Sequence, residues 1–247
     1  MIDERISEYL RSLERDMPEY LEQLEKRALR EEVPIIRKDA QALLRFLLQM
    51  KRPKRILEVG TAVGFSCMYM SEYMPADAKI ATIEKVQMRI VPAKENFAGA
   101  PRAERIALLI GDAAEVLRVL CEADEVKATG TEEGLREIYL PAGACSVWQQ
   151  ASFTEKYDFI FMDAAKGQYM NFLPYLLKLL APDGLFVTDN VLQEGSIADS
   201  KFSITRRDRT IHMRMREYLY ELTHNDALNT TVLPVGDGMA LTTFKTN

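Results

Sequence analysis

Residues Arg55 to Ser66 read RILEVGTAVGFS, and the fold turns on them. A short apolar run, Ile56, Leu57 and Val59, leads into Gly60-Thr61-Ala62-Val63-Gly64 and then into FSCMYMSEYM, a segment that can form a helix. Strand, glycine turn, helix is how a doubly wound α/β sheet offers a nucleotide-like ligand to a helix N-terminus. Gly60 and Gly64 have no Cβ, so the backbone can come close to such a ligand. The spacing is G-x-x-x-G, not the G-x-G-x-x-G of dinucleotide binders. With the acidic Glu58 inside the strand end, it points to S-adenosylmethionine (SAM) ahead of a nicotinamide. The competing reading is a plain structural turn, since such junctions are common in α/β proteins.

Working outward, KIATIE (79–84), RIALLIGD (105–112), YDFIFMDA (157–164) and GLFVTDNV (184–191) are short apolar runs separated by helical patterns. YDFIFMDA is nearly all apolar, so it is expected at the centre, buried on both faces. LNTTVLP and GMALTTFKT flank Val235-Gly236-Asp237, a short link that suits an antiparallel hairpin. The expectation is an α/β, Rossmann-like sheet of seven strands, the last antiparallel, with helices on both faces. Upstream, Ile6, Tyr9, Leu10, Leu13 and Met17 recur at helical spacing. Asp16 before Pro18 reads as a cap for a second helix carrying Tyr20, Leu21, Leu24 and Ala28. Residues 1–32 are expected as an N-terminal helical extension and 33–247 as one domain. VQMRIVPAKENFAGA is expected to be helical with an interruption at Pro92. Residues 121–152 separate a helix from the central strand by far more than the usual connection. They read as a lid, a dimer element or a surface excursion.

Composition bounds the partners. The chain has 247 residues, 47% hydrophobic and 28% charged, values of a soluble globular protein. Its net charge of −5 exerts no global pull on DNA or an anionic membrane, so any RNA contact must come from a local patch. Cys67, Cys121 and Cys145 lack zinc spacing and suit a reducing, cytoplasmic setting. No signal peptide and no membrane-spanning run is expected.

The candidate chemistry gathers at strand ends. Glu84 closes the second strand, where an acid can accept ribose hydroxyls; a solvated strand end is the bland alternative. Gly111, Asp112 and Ala113 end the third strand, where they could border an adenine. Asp163 closes FIFMD, and Asp189 with Asn190 closes LFVTDN. Two carboxylates and an amide suit a hard cation such as Mg²⁺. With only His212 and His224 in the chain, a histidine-rich zinc site is not expected. Both aspartates could instead cap turns. Lys166 follows Asp163 by three residues; beside a cation and a sulfonium it could take a proton from a substrate hydroxyl. Elsewhere it would be an ordinary surface lysine.

These motifs resemble the divalent-metal-dependent, SAM-dependent O-methyltransferases of the catechol and caffeoyl-CoA type. E-V-G-T-A-V-G-F-S, I-E-K, G-D-A, D-A-A-K-G-Q-Y and D-N-V follow in that family's order, over about Val33 to Lys245 without the 121–152 segment. V-P-I-I, R-R-D-R-T with M-R-E-Y, and L-P-V-G-D-G-M-A are most similar to the bacterial tRNA 5-hydroxyuridine methyltransferases. The resemblance implies that SAM binds at Ile35, Glu58, Gly60, Ser66, Glu84, Gly111, Asp112, Ala113 and Asp163. It implies Mg²⁺ on Asp163, Asp189 and Asn190, and Lys166 as the catalytic lysine. Tyr169 completes D-x-x-K-x-x-Y, and a homodimer fits the family. The 121–152 segment departs from its pattern.

The substrate stays open between two chelating classes. A catechol offers two neighbouring oxygens, and so does 5-hydroxyuracil. On a helical wheel Ile211, Met215, Leu219 and Leu222 form one stripe, with Arg206, Arg207, Arg209, Arg214 and Arg216 largely opposite. Such a face could hold RNA phosphates or be an ordinary solvated face. The resemblance favours methylation of wobble 5-hydroxyuridine in tRNA to 5-methoxyuridine. The alternative is methylation of small catechol-like or caffeoyl-type phenols. A third reading is a non-catalytic interaction protein or a nicotinamide binder, against which the intact Asp163, Lys166, Asp189 and Asn190 set speaks.

Overall fold

A computed structural model describes residues 4–124, 126, 134–148, 152–200 and 202–246. The strands are β1 (Arg55–Val59), β2 (Lys79–Glu84), β3 (Ile106–Ile110), β4 (Glu137–Tyr139), β5 (Tyr157–Met162), β6 (Leu180–Thr188), β7 (Leu228–Leu233) and β8 (Met239–Phe244). They form one sheet in the order β4-β3-β2-β1-β5-β6-β8-β7. β1, β2, β3, β5 and β6 are parallel, and β8 runs antiparallel to β6 and β7. The sheet has eight strands rather than seven. The addition is β4, three residues from inside the 121–152 segment, antiparallel to β3. Only three residues long, with a sequence lacking a clear alternation, it left no strand signal. It covers what would otherwise be an open sheet edge.

Helices α1 (Glu4–Ser12), α2 (Glu19–Arg30), α3 (Lys38–Lys51), α4 (Phe65–Tyr73), α5 (Gln87–Ala98), α6 (Ala113–Glu122), α7 (Ala144–Trp148), α8 (Tyr169–Leu179) and α9 (Arg209–His224) surround it. Strand side chains alternate between two cores. Ile56, Ile80, Phe159 and Phe161 meet α2 to α5 through Leu24, Leu44, Met68 and Phe97. Leu57, Ala81, Ile160 and Phe186 meet α6, α8 and α9 through Leu117, Leu176 and Met215. Period-two alternation with apolar residues on both faces is what a central sheet needs. Leu21, Leu24 and Ala28 of α2 are buried in the first of these cores.

Several local expectations change. Asp16 does not cap α2; Pro18 precedes its first turn without a side-chain cap. Proline's fixed φ suits that position. α5 runs unbroken through Pro92. In the second half of the 121–152 segment, Trp148 is buried, stacked on Phe153 at 4.9 Å, with the Lys79 ammonium over its ring. The described parts of the segment are therefore packed on the body of the sheet. No helix among the described residues is long and apolar enough to cross a membrane.

Candidate active site

The carboxyl ends of β1, β2, β3, β5 and β6 open on a cavity of about 700 Å³. Ile35, Gly60, Ser66, Glu84, Gly111, Asp112, Ala113, Asp163, Lys166 and Asn190 all line it. Thus most residues picked out in the sequence meet in one place. Crossovers in a parallel sheet bring every βα turn to the same edge, which is why separate motifs converge.

The glycine turn is set by protein contacts. Gly60 has φ +104°, and a Cβ there would stand 2.0 Å from the Asp163 carbonyl oxygen. Gly64, at φ +87°, would press a Cβ to 2.5 Å from the Phe97 ring. Close approach to a ligand was the expected reason for both glycines. The observed neighbours are the β5 end and α5. Two carboxylates then fix the turn. Glu84 is buried; its Oε2 accepts from the Ala62 N–H, and its Oε1 from the Lys85 and Val86 N–H groups, all at 2.9 Å. A carboxylate offers about four acceptor sites, so roughly one stays unshared for a ribose hydroxyl. Glu58 was expected to bind cofactor, but it does not line the cavity. It is fully buried behind Ser66 and accepts from the Ser66 and Thr82 hydroxyls. Burial pushes its carboxyl up to about 8, against those two hydrogen bonds. Glu58 orients Ser66, which does face the cavity.

At the third strand end Asp112 caps α6, accepting from the Ala114 N–H at 3.0 Å. The Lys85 ammonium, 3.0 Å away, holds its carboxyl below the usual range.

The fourth and fifth strand ends carry the sharper chemistry. Asn190 sits in the left-handed region at φ +61° and donates from Nδ2 to Asp163 Oδ1 at 2.9 Å. Asp189 lies behind it, 3% exposed, and accepts the Asn190 N–H at 2.7 Å. Burial raises the Asp163 carboxyl; burial and then the Asp163 charge push Asp189 up to about 7. Two crowded carboxylates of this kind are eased by a cation. No trio of His, Cys, Asp or Glu donors gathers for a metal among the described residues. The set fits Mg²⁺ only with the Asn190 amide as third donor, turned so that its oxygen replaces Nδ2. Tyr169 supports the site from below, its hydroxyl donating to the Asp189 carbonyl at 3.3 Å.

Asp237 is a neighbour that the sequence reading passed over. It is buried, lies 3.3 Å from the Lys166 ammonium, and accepts the Glu194 N–H. Its signal was the Gly236-Asp237-Gly238 turn, read there only as a hairpin link. The loop it grips carries Gln193, Glu194 and Gly195, all at positive φ.

The arginine face is not as expected. α9 starts at Arg209, so Arg206 and Arg207 precede the helix. Met215 and Leu222 of the expected stripe are buried, and Leu219 packs against the core, but His212 and Tyr218 join them while Ile211 is exposed. Arg209 donates to the Ile204 carbonyl, Arg214 to that of Gly167, and Arg216 to those of Ile197 and Asp199. Arg206 and Arg207 stay exposed.

The model of the O-methyltransferase family matches residues 11–129 and 143–245. The chain belongs to the O-methyltransferase family. It is a SAM-dependent O-methyltransferase. It is 28% identical to a catechol O-methyltransferase of Niastella koreensis over 207 residues, 82% of this chain and 78% of that one. It is 27% identical to a caffeoyl-CoA O-methyltransferase of Stellaria longipes over 203 residues, 81% and 72% of the two chains. A provisionally assigned caffeoyl-CoA O-methyltransferase from Staphylococcus aureus superposes with a TM-score of 0.77 at 27% identity, covering 96% of this chain and 98% of that one.

Proposed function

We propose that this O-methyltransferase methylates one oxygen of a small vicinal dihydroxy aromatic, of catechol or caffeoyl type, with SAM and a divalent cation such as Mg²⁺. The observation that carries the reading is the meeting of Asp163, Asn190 and Lys166 in the cavity that Gly60, Ser66 and Glu84 also line. Glu84 takes a ribose hydroxyl, Ser66 the methionine carboxylate, and Gly111, Asp112 and Ala113 border the adenine, as the family resemblance implies. Asp163, Asp189 and Asn190 would hold the cation, whose positive charge would make a neighbouring substrate hydroxyl more acidic. Lys166, held in place by Asp237, accepts the hydroxyl proton on the lone pair of its neutral Nζ. The enclosed strand ends align the acceptor oxygen with the sulfonium methyl. An O–C bond forms as the C–S bond breaks, and S-adenosylhomocysteine leaves. Small phenols are preferred because the curated relatives named above carry such substrates in their names. The basic face is also largely engaged: three of its five arginines are tied to backbone carbonyls.

The tRNA reading keeps one supporting observation, the exposed Arg206 and Arg207 in the turn before α9. One experiment separates the two. Labelled SAM is incubated with catechol, a caffeoyl ester or hydroxyuridine-bearing tRNA, with Mg²⁺ or with EDTA. Methylation of the phenols that EDTA stops supports the proposal. Labelling of tRNA alone, lost on reversing the charges of Arg206 and Arg207, overturns it in favour of tRNA.

A further inference from the structure

The family match skips residues 130–142. Their described part does more than cover a sheet edge. Covering the edge needs only the ladder, in which Ile110, Leu109 and Leu108 face Glu137, Ile138 and Tyr139, and the burial of Leu135. Two further contacts reach residues that line the cavity, from behind its wall. The Gly134 carbonyl oxygen lies against Gly111 so closely that a Cβ on Gly111 would stand 2.6 Å from it. The Arg136 guanidinium donates to the Lys85 carbonyl at 2.9 Å, while its backbone N–H bonds the Ile110 carbonyl at 2.9 Å. Lys85 and Gly111 both line the cavity, and the Lys85 ammonium grips Asp112 beside them. One residue thus touches both strand ends, its side chain at the end of β2 and its backbone N–H at the end of β3.

We propose that residues 134–140 form part of the cofactor site, with Arg136 as a positioning residue that holds the adenosine end of the cavity in shape. The inference rests on the assignment of that end to the adenosine of SAM. It directs the added segment toward cofactor affinity and product release, and away from acceptor choice. The physical reason is leverage. The β2 and β3 ends are already joined by the Gly111 N–H on the Glu84 carbonyl and by the Lys85–Asp112 ion pair, but the turns that follow them sample more conformations when left to themselves. A cationic donor on the Lys85 carbonyl, carried by a backbone anchored at Ile110, lowers that freedom before the cofactor arrives, which is preorganisation.

The test measures binding of S-adenosylhomocysteine by calorimetry, together with amide hydrogen exchange over residues 134–140. Arg136→Ala is expected to weaken binding about tenfold, the scale of one lost hydrogen bond to a charged donor. Arg136→Lys should restore part of it, and the acceptor KM should stay unchanged. Bound S-adenosylhomocysteine should slow exchange in the segment. Lys79→Met is the comparison, because Lys79 donates to the Val147 carbonyl at 2.7 Å in the other half of the added segment. It should lower Tm without changing affinity. Equal affinity losses in both variants, unaltered affinity in Arg136→Ala, or no slowing of exchange would overturn the proposal. A wild-type protein that fails to bind S-adenosylhomocysteine at all would instead overturn the cofactor assignment on which it rests.

Discussion

Replacing Gly60 by alanine tests whether the glycine turn and the metal-ligand strand are one mechanical unit. The added Cβ would lie 2.0 Å from the Asp163 carbonyl oxygen and 2.8 Å from its carbon. Ordinary contact starts near 3.4 Å, so relief requires the β1 and β5 ends to part by about 1.4 Å. Nothing flexible can absorb this, because both partners are backbone and the Asp163 N–H is bonded to the Val59 carbonyl at 3.0 Å. A side chain at φ +104° adds strain. Taking about 1–2 kcal/mol for left-handed backbone and about 1–3 kcal/mol for overpacking, the loss is about 2–5 kcal/mol. In a chain of this size that lowers Tm by roughly 4–20 °C. Asp163 moves with its carbonyl, and a displacement near 1 Å at a reacting site costs about a hundredfold in kcat/KM. Thermal unfolding followed by circular dichroism reads the first effect. Labelled-methyl transfer to catechol, measured well below Tm, reads the second. A variant that melts within about 2 °C of wild type and keeps its kcat/KM would refute the argument.

Three further outcomes are expected. The Glu58 carboxyl sits at about 8 in the folded protein against an ordinary 4.5, so between those values the folded form holds a proton that the unfolded chain has released. Stability should therefore fall as pH rises through that window, by up to about 3–5 °C in Tm per pH unit, and Glu58→Gln should flatten the slope. Parallel slopes in melts at pH 5, 6.5 and 8 would contradict this. Asp163→Ala and Asp189→Ala should each abolish Mg²⁺-dependent turnover, and undiminished activity in EDTA would remove the cation from the reaction. Asp237→Asn keeps an acceptor for the Glu194 N–H but drops the charge beside Lys166; kcat should fall about tenfold or more with little change in the acceptor KM. A purely structural role would show instead as a lower Tm with kcat intact.

The motifs were legible because each is local. Apolar runs of strand length separated by helical patterns establish an α/β sheet. In a parallel sheet the residue after each run must reach the same edge, so Glu84, Asp112, Asp163 and Asn190 could be placed together before any coordinates. The same rule misjudged Glu58. Strand alternation tells that a side chain leaves the plane, and not whether it meets the cavity itself or the back of a serine that lines it. The arginine face failed for a related reason. A helical wheel assumes where the helix begins, and α9 begins three residues later than Arg206, with tertiary contacts turning His212 and Tyr218 inward.

What the sequence determined alone is the sheet, the glycine turn and the set of polar groups at the strand ends, for these follow from periodicity and chain direction. Only the tertiary structure decided which groups touch. Asp237 meets Lys166 across 71 residues of chain, and Arg136 spans 51 residues to the Lys85 carbonyl. Contacts of that range depend on how finished elements pack against one another, and no window of neighbouring residues encodes them.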